Sequence, residues 1–246
     1  IKEIDHRLNI LDKLKILLVE LKQETLEVKH LQKVLDENFW IFGEQFRLFS
    51  STEGPLKRTL LQYATDILKI SDPELQSEPN GEVDLFLTRA DAVNTAKQMN
   101  VIVEIKRPSI KLAKKEYDQI EEYMNRIKEQ DLCNGTNQFW EFYLIGNNYD
   151  DYLGDKIESQ SVSGEKERGL TYSVKDSHFK IYVRKWSDIL EVEWGAKMKY
   201  LKDKLQVESE KEGGLTADDI VKKITTKKLS KVVMSRTVTY PKLKSR

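Results

Sequence analysis

Cysteine is almost absent from this 246-residue chain: Cys133 stands alone, which excludes an internal disulfide and a zinc site built from several thiolates. Histidine is nearly as scarce, and His6, His30 and His178 show no spacing that suits a cluster of imidazole ligands. Glycines are few, and none falls in the GxxxxGK[ST] pattern that cradles a nucleotide phosphate. No run of about 18 apolar residues occurs, so no membrane-spanning helix is expected. Nothing at the start has the layout of a signal peptide, and a cytoplasmic protein is expected. The chain opens on Ile1 and is expected to continue a domain that precedes it. For a metal, these absences leave oxygen: any site must be built on carboxylates, which favours Mg²⁺ or Mn²⁺.

Charge is abundant, at 33% of residues, and sums to zero. The balance hides a segregation. From Ile220 to Arg246 there are nine Lys/Arg and no Asp/Glu, which leaves 32 basic against 41 acidic residues elsewhere. A basic tail of this kind suits a polyanionic partner, although such runs are often only solvated.

Apolar periodicity divides the chain. Residues 1–36 read as one long helix, with Leu14, Leu18, Leu21, Thr25, Val28, Gln32 and Leu35 spaced alternately by four and three. The stripe fits either a helix packed on its own domain or an oligomerisation arm, and its two polar positions favour the first. A strand is predicted over Gln45–Phe49 and a helix over Leu56–Ile70. Strands follow at Glu82–Thr88 and Met99–Lys106, the second stopped by Arg107-Pro108. A helix is predicted over Lys111–Glu129, a strand over Phe139–Ile145, and a polar loop or insertion over Asn147–His178. A strand at Phe179–Val183 and a helix at Trp186–Val207 precede a capped start at Thr216–Asp219. Strands alternating with helices predict an α/β fold. The four tryptophans, Trp40, Trp140, Trp186 and Trp194, sit in apolar surroundings and are expected to pack in the core.

The chemistry concentrates on two strands. In Met99–Lys106, alternation sends Met99, Val101, Val103 and Ile105 to one face and Asn100, Ile102, Glu104 and Lys106 to the other. Charges at the end of such a strand are costly unless paired, ligating or functional. Two further Glu-x-Lys triplets, Glu20–Lys22 and Glu27–Lys29, lie in the charged first helix and read as solvation. In Glu82–Thr88, Asp84 interrupts an apolar run where Asp is disfavoured. Pairing the two strands brings Asp84 beside Glu104, and two such carboxylates suit Mg²⁺. The metal would polarise a phosphodiester, with Lys106 orienting water or stabilising the charged transition state. A salt-bridge cluster on a sheet edge is the plainer alternative. On the following helix, Gln119 and Tyr123 are four apart, share a face and flank the apolar stripe, so both are expected to point towards Lys106.

An Asp, then Glu-x-Lys on the next strand, then Gln-x-x-x-Tyr on a helix resembles the PD-(D/E)XK nuclease superfamily, in its RecB-like branch. Val83 stands where that pattern usually has proline. Asn38–Gly43, Val103–Ser109 and Phe179–Leu190 further resemble the Shedu-type domain of bacterial anti-phage defence proteins, over roughly Leu35 to Leu205. The resemblance implies a restriction-endonuclease-like fold, a mixed central sheet flanked by helices, here with a helical N-terminal arm. It implies a Mg²⁺-dependent deoxyribonuclease acting on DNA within a homo-oligomer, a dimer or tetramer. The expected organisation is the arm over 1–36, the nuclease domain over 37–207, and a linker with the basic tail over 208–246. The superfamily often adds an acidic residue from the helix before the first strand. Glu37 and Glu44 are the candidates, and the sequence alone does not separate them; Glu37, placed in the metal set with Asp84 and Glu104, puts a negative charge at a helix C-terminus, where it is misplaced structurally. Arg107 and Lys111 flank the active strand and are candidate phosphate contacts. The rival reading is a catalytically silent nucleic-acid-binding or assembly module of the same fold. Hydrolysis of RNA or nucleotides is allowed by the same chemistry.

Overall fold

The computed structural model describes residues 2–50, 54–90, 97–161, 167–174, 176, 178–205, 216, 218–219 and 221–222. Most of the basic tail, 223–246, therefore lies outside the described residues, as does most of the linker before it.

The chain begins with α1 (Lys2–Lys15), which runs into a π-helical turn, Ile16–Glu20. A turn follows, then a second π-helical segment, Glu27–Gln32, which continues as α2 (Lys33–Glu37). The single long helix expected over 1–36 is thus broken between Leu21 and Leu26. Thr25 explains the break: its hydroxyl donates to the carbonyls of Leu17 (2.8 Å) and Leu21 (2.9 Å), competing with helical backbone bonds at that point.

A 3₁₀ turn (Phe39–Phe42) leads to β1 (Arg47–Ser50), then β2 (Gly54–Pro55) and α3 (Leu56–Asp66). The next elements are β3 (Glu82–Val83), β4 (Leu85–Ala90), β5 (Gln98–Ile105), β6 (Lys111–Leu112) and α4 (Lys114–Lys128). Beyond these come β7 (Gln138–Gly146), β8 (Asn148–Tyr149), α5 (Asp151–Ser161), β9 (Leu170–Val174) and β10 (Phe179–Lys185). A π-helical segment (Asp188–Gly195) continues as α6 (Ala196–Leu205).

Six strands form one mixed sheet in the order β1-β4-β5-β7-β10-β9. β4 pairs antiparallel with β1 and β5; β7 pairs parallel with β5 and β10; β9 returns antiparallel on the edge. The α/β class with helices flanking a mixed sheet is the one expected. The stretch 147–178 is not simply loop, because it contains α5 and β9. Asp150 caps α5, its Oδ1 accepting the Leu153 N–H at 3.0 Å, and Leu153 is buried one turn in.

Both faces of the sheet are covered. On one, Leu85, Leu87, Val101, Val103 and Ile105 pack against Leu14, Leu17, Leu18, Leu31 and Leu35 of the arm and Ile189, Leu190 and Trp194 near the C-terminus. On the other, Phe86, Ile102, Trp140, Phe142 and Leu144 pack against Leu56, Leu60 and Tyr63 of α3 and Ile120, Met124 and Ile127 of α4. Trp140, Trp186 and Trp194 are buried and Trp40 partly so, under the Arg7 guanidinium. The Leu14–Leu18–Leu35 part of the N-terminal stripe is spent on the chain's own core, while Val28 is 48% exposed. The stripe therefore gives no continuous seam for a second chain. Among the described residues no helix is long and apolar enough to cross a membrane.

Candidate metal centre

Asp84 sits at the bend between β3 and β4, the point where the run predicted as one strand is interrupted. The β4–β5 register, Leu85 opposite Val103, brings it alongside the end of β5. Its Oδ2 accepts the Ile105 N–H at 2.7 Å, and its carbonyl accepts Gln32 Nε2 at 3.1 Å. Gln32, a polar position in the N-terminal stripe, thus fixes the backbone that carries Asp84.

Glu104 and Lys106 project from β5 on the same face. Glu104 is 3% exposed, and its Oε1 accepts from Lys106 Nζ (2.6 Å) and Gln119 Nε2 (2.7 Å). Glu104 Oε2 is buried with no hydrogen-bond partner. Tyr123 lies one turn beyond Gln119; its hydroxyl accepts from Gln119 Nε2 at 2.9 Å and donates to the Glu82 carbonyl at 2.6 Å. The helix pair therefore reaches the site, but it grips Glu104 and the β3 backbone, not Lys106.

A third carboxylate joins them, from a place the sequence reading set aside. Glu27, at the start of the second π-helical segment, has oxygen atoms within 4.8 Å of those of Asp84 and Glu104. Its Oε2 accepts the Arg107 N–H at 3.0 Å, and its Oε1 lies 3.8 Å from Lys106 Nζ. Glu37 and Glu44 are not in this group, which corrects the expectation for Glu37. Glu44 is exposed at the opposite end of the arm, paired with Arg7 (2.8 Å) and Lys197 (3.1 Å). Glu27 was missed because Glu27-Val-Lys29 looks like a solvated helical repeat. A helix break at Thr25 was the signal needed, and no glycine or proline marks it. Arg107 and Lys111 are both exposed, and the Arg107 backbone N–H is bound by Glu27.

Electrostatics bind the group together. Burial, then the neighbouring Glu104 and Glu27 charges, push the Asp84 carboxyl up to about 8, against the Ile105 N–H and Lys106. Burial also raises Glu104, opposed by Lys106 and Gln119 and reinforced by Glu27. For Lys106, burial works to lower its pKa, yet Glu104, Glu27 and Asp84 carry it above the usual lysine value. With all three carboxyls ionised, one ammonium would leave an excess of negative charge within the group, which adds to burial in making Asp84 hold its proton to higher pH.

The group opens into a cleft of about 580 Å³, walled by Pro55, Lys57, Pro79, Asn80 and Gly81. Gly81 has φ +107°, and a Cβ there would meet Tyr123 Cε1 at 2.6 Å. Gly81→Ala is expected to cost about 1–3 kcal/mol and to push the Tyr123 ring off the Glu82 carbonyl. Chemical denaturation reads the first effect, and a shift of the Tyr123 ring signals in NMR spectra of the folded protein reads the second. Behind α4 lies a separate groove of about 420 Å³ lined by Glu78, Asp118, Glu121, Glu122 and Glu129, with Arg126 the one basic side chain that lines it among the described residues. Glu78 pairs with Lys57 between cleft and groove.

The donor set fits a hard divalent cation: all three side chains offer oxygen, one buried oxygen is unpartnered, and the carboxylates repel one another without a cation. No family model, curated protein or solved structure matches this chain, so the geometry of Glu27, Asp84, Glu104 and Lys106 carries the functional reading.

Proposed function

We propose that this chain is a metal-dependent DNA endonuclease of the PD-(D/E)XK kind, with a restriction-endonuclease-like fold, similar to the Shedu-type domain of anti-phage defence. One observation carries the reading: Glu27, Asp84 and Glu104 converge within 4.8 Å, and Lys106, directly after the strand that carries Glu104, is held 2.6 Å from it. Glu27, Asp84 and Glu104 would hold Mg²⁺ or Mn²⁺. A cation bound there polarises a phosphoryl oxygen and makes a nearby water more acidic.

The remaining roles belong to the chain's own groups. Lys106 carries its charge at neutral pH, because Glu104 stabilises the ammonium. It is placed to orient the attacking water and to offset negative charge growing on the phosphate. Gln119 holds one oxygen of Glu104, and Tyr123 holds Gln119 and the Glu82 carbonyl, linking Glu104 to α4 and to the β3 backbone. Lys57 at the mouth of the cleft, with the exposed Arg107 and Lys111, supplies positive charge for flanking phosphates. A double-strand break needs two such sites on one duplex, so a homo-oligomer belongs to the proposal, through a surface other than the N-terminal leucine stripe.

The test is cleavage of circular, linear and single-stranded DNA, and of RNA, with Mg²⁺ or Mn²⁺ and with EDTA. Cation-dependent cutting of DNA is expected. Glu27→Ala is expected to lower the rate by about 10- to 100-fold, while Glu37→Ala and Glu44→Ala leave it unchanged. Absence of cutting on every substrate with either cation would leave the silent binding module as the better description.

A further inference from the structure

We propose that His30 is a positioning residue for Glu27, and that the C-terminal segment holds it in that role through Asp218. The inference rests on the metal-site reading above and adds a control element to it.

Glu27 reaches the metal group from a bend, not from a continuous helix. Leu26, just before it, is extended (φ −95°, ψ 150°), so its N–H has no place in the helical ladder that starts at the next residue. The His30 ring fills that need: its Nδ1 accepts the Leu26 N–H at 2.9 Å. His30 thereby acts on the helix start as a capping side chain does, from one turn inside it. With Thr25 tied to the Leu17 and Leu21 carbonyls, the backbone on the N-terminal side of Glu27 is fixed by two side chains.

Accepting at Nδ1 places the ring proton on Nε2. That nitrogen faces Asp218 Oδ1 at 3.2 Å. His30 is 4% exposed, so the pair is reached only from the side of Asp218. Asp218 lies 188 residues further along the chain and has its own anchors. Lys29 Nζ binds its Oδ2 at 2.9 Å. Thr216 and Asp219 exchange capping hydrogen bonds around it, the Thr216 hydroxyl donating to Asp219 Oδ2 at 2.7 Å and accepting the Asp219 N–H at 3.2 Å. Val221, 4% exposed, enters the same apolar cluster as the arm leucines. The carboxylate, the imidazole and the Leu26 amide form one line that ends beside Glu27. A carboxylate orienting a histidine that orients the next group is the arrangement by which outer residues tune a metal site. Here it acts through the backbone, and its anchor is the segment from which the basic tail departs. Undocking 216–222 therefore loosens Glu27 without touching Asp84, Glu104 or Lys106.

The experiment uses the full chain, Mn²⁺ as the probe, and four variants: Asp218→Ala, His30→Leu, His30→Gln and Glu104→Ala. Free Mn²⁺ is read by electron paramagnetic resonance, and amide exchange at Leu26 and Glu27 by NMR or mass spectrometry. Asp218→Ala and His30→Leu are expected to weaken Mn²⁺ binding by about 10-fold, the lower end for a residue outside the ligand set, and to speed exchange at Leu26. His30→Gln keeps an acceptor for the Leu26 N–H and is expected to recover most of the affinity. A purely structural His30 would change thermal stability and leave the Mn²⁺ affinity of the folded protein unchanged; that result overturns the proposal. A parent that binds Mn²⁺ no better than Glu104→Ala defeats the metal reading itself, and the role of His30 with it. Tight parental binding with unaffected Asp218→Ala and His30→Leu proteins defeats the positioning role alone.

Discussion

Asp84→Asn is expected to abolish cleavage, by about 10³-fold, and at the same time to raise the thermal midpoint of the metal-free protein above pH 7. Asparagine keeps an oxygen for the Ile105 N–H, so the β5 backbone stays in place. What goes is a buried negative charge beside two others. The Asp84 carboxyl titrates at about 8 in the fold against 3.8 ordinarily, from burial first and then from Glu104 and Glu27. The folded protein thus holds that proton more tightly than the unfolded chain does. The resulting stabilisation is complete below pH 3.8 and is lost as pH rises towards about 8. The parent in EDTA should therefore melt at lower temperature as pH is raised from 5 to about 8, and the variant should show a shallower decline. Mg²⁺ should reverse the slope in the parent, because it binds the ionised form. Differential scanning calorimetry across this range, with and without the cation, is the measurement. An Asp84→Asn protein that melts below the parent at pH 8 in EDTA would contradict the charge-excess account.

Lys106→Met is expected to move stability the other way while also silencing the site. Methionine keeps most of the aliphatic stem and removes the ammonium, which is the cation within hydrogen-bond reach of Glu104. Glu104 is then left buried with Gln119 as its partner. Breaking a buried pair from one side costs about 3–5 kcal/mol; the lower figure applies here because the ammonium keeps some access to the cleft. Cleavage should fall by about 10²- to 10³-fold, while Mg²⁺ binding is retained, since no ligand has been lost. Calorimetric titration of Mg²⁺ and urea unfolding of the metal-free variant separate these effects. Cutting within a few-fold of the parent would remove Lys106 from the mechanism.

The same cost of unpaired charge that sets the expected signs of these two substitutions makes the site partly legible in the sequence. Alternation on Met99–Lys106 places Glu104 and Lys106 on one face and a continuous apolar row on the other, and β5 has that arrangement. Asp84 was conspicuous because carboxylates do not sit in apolar strands without cause. Gln119 and Tyr123 were found by helical spacing, and only their partners differ from expectation. Glu27 was illegible for a local reason. Its neighbours Glu24, Lys22 and Lys29 match a solvated helix, and the bend that turns Glu27 inward depends on a Thr25 hydroxyl and on a histidine four residues from Leu26. The segment 147–178 was read as loop because α5 carries few apolar residues and a mid-helix glycine, Gly154. Asp150 before it, with Leu153 and Ile157 four apart, was the signal available.

The groove behind α4 sets the direction from which a polyanion can come. Gln119 and Tyr123 line the cleft, while Asp118, Glu121 and Glu122, on the same helix, line the acidic groove. One helix thus faces two surfaces, the cleft that gathers Glu27, Asp84 and Glu104 around Lys106 and a groove rich in carboxylates. At physiological salt, fields reach about 8 Å, so the exposed groove carboxylates act over about that distance. A nucleic acid laid across this groove would set its phosphates against five carboxylates, of which Glu78 is paired with Lys57, Asp118 with Lys114 and Glu122 with Arg126. Laid towards Arg107 and Lys111, it meets exposed cations instead. The helix whose Gln119 grips Glu104 thus also lines the acidic groove, so on the proposed function a strand approaching across that groove would be disfavoured.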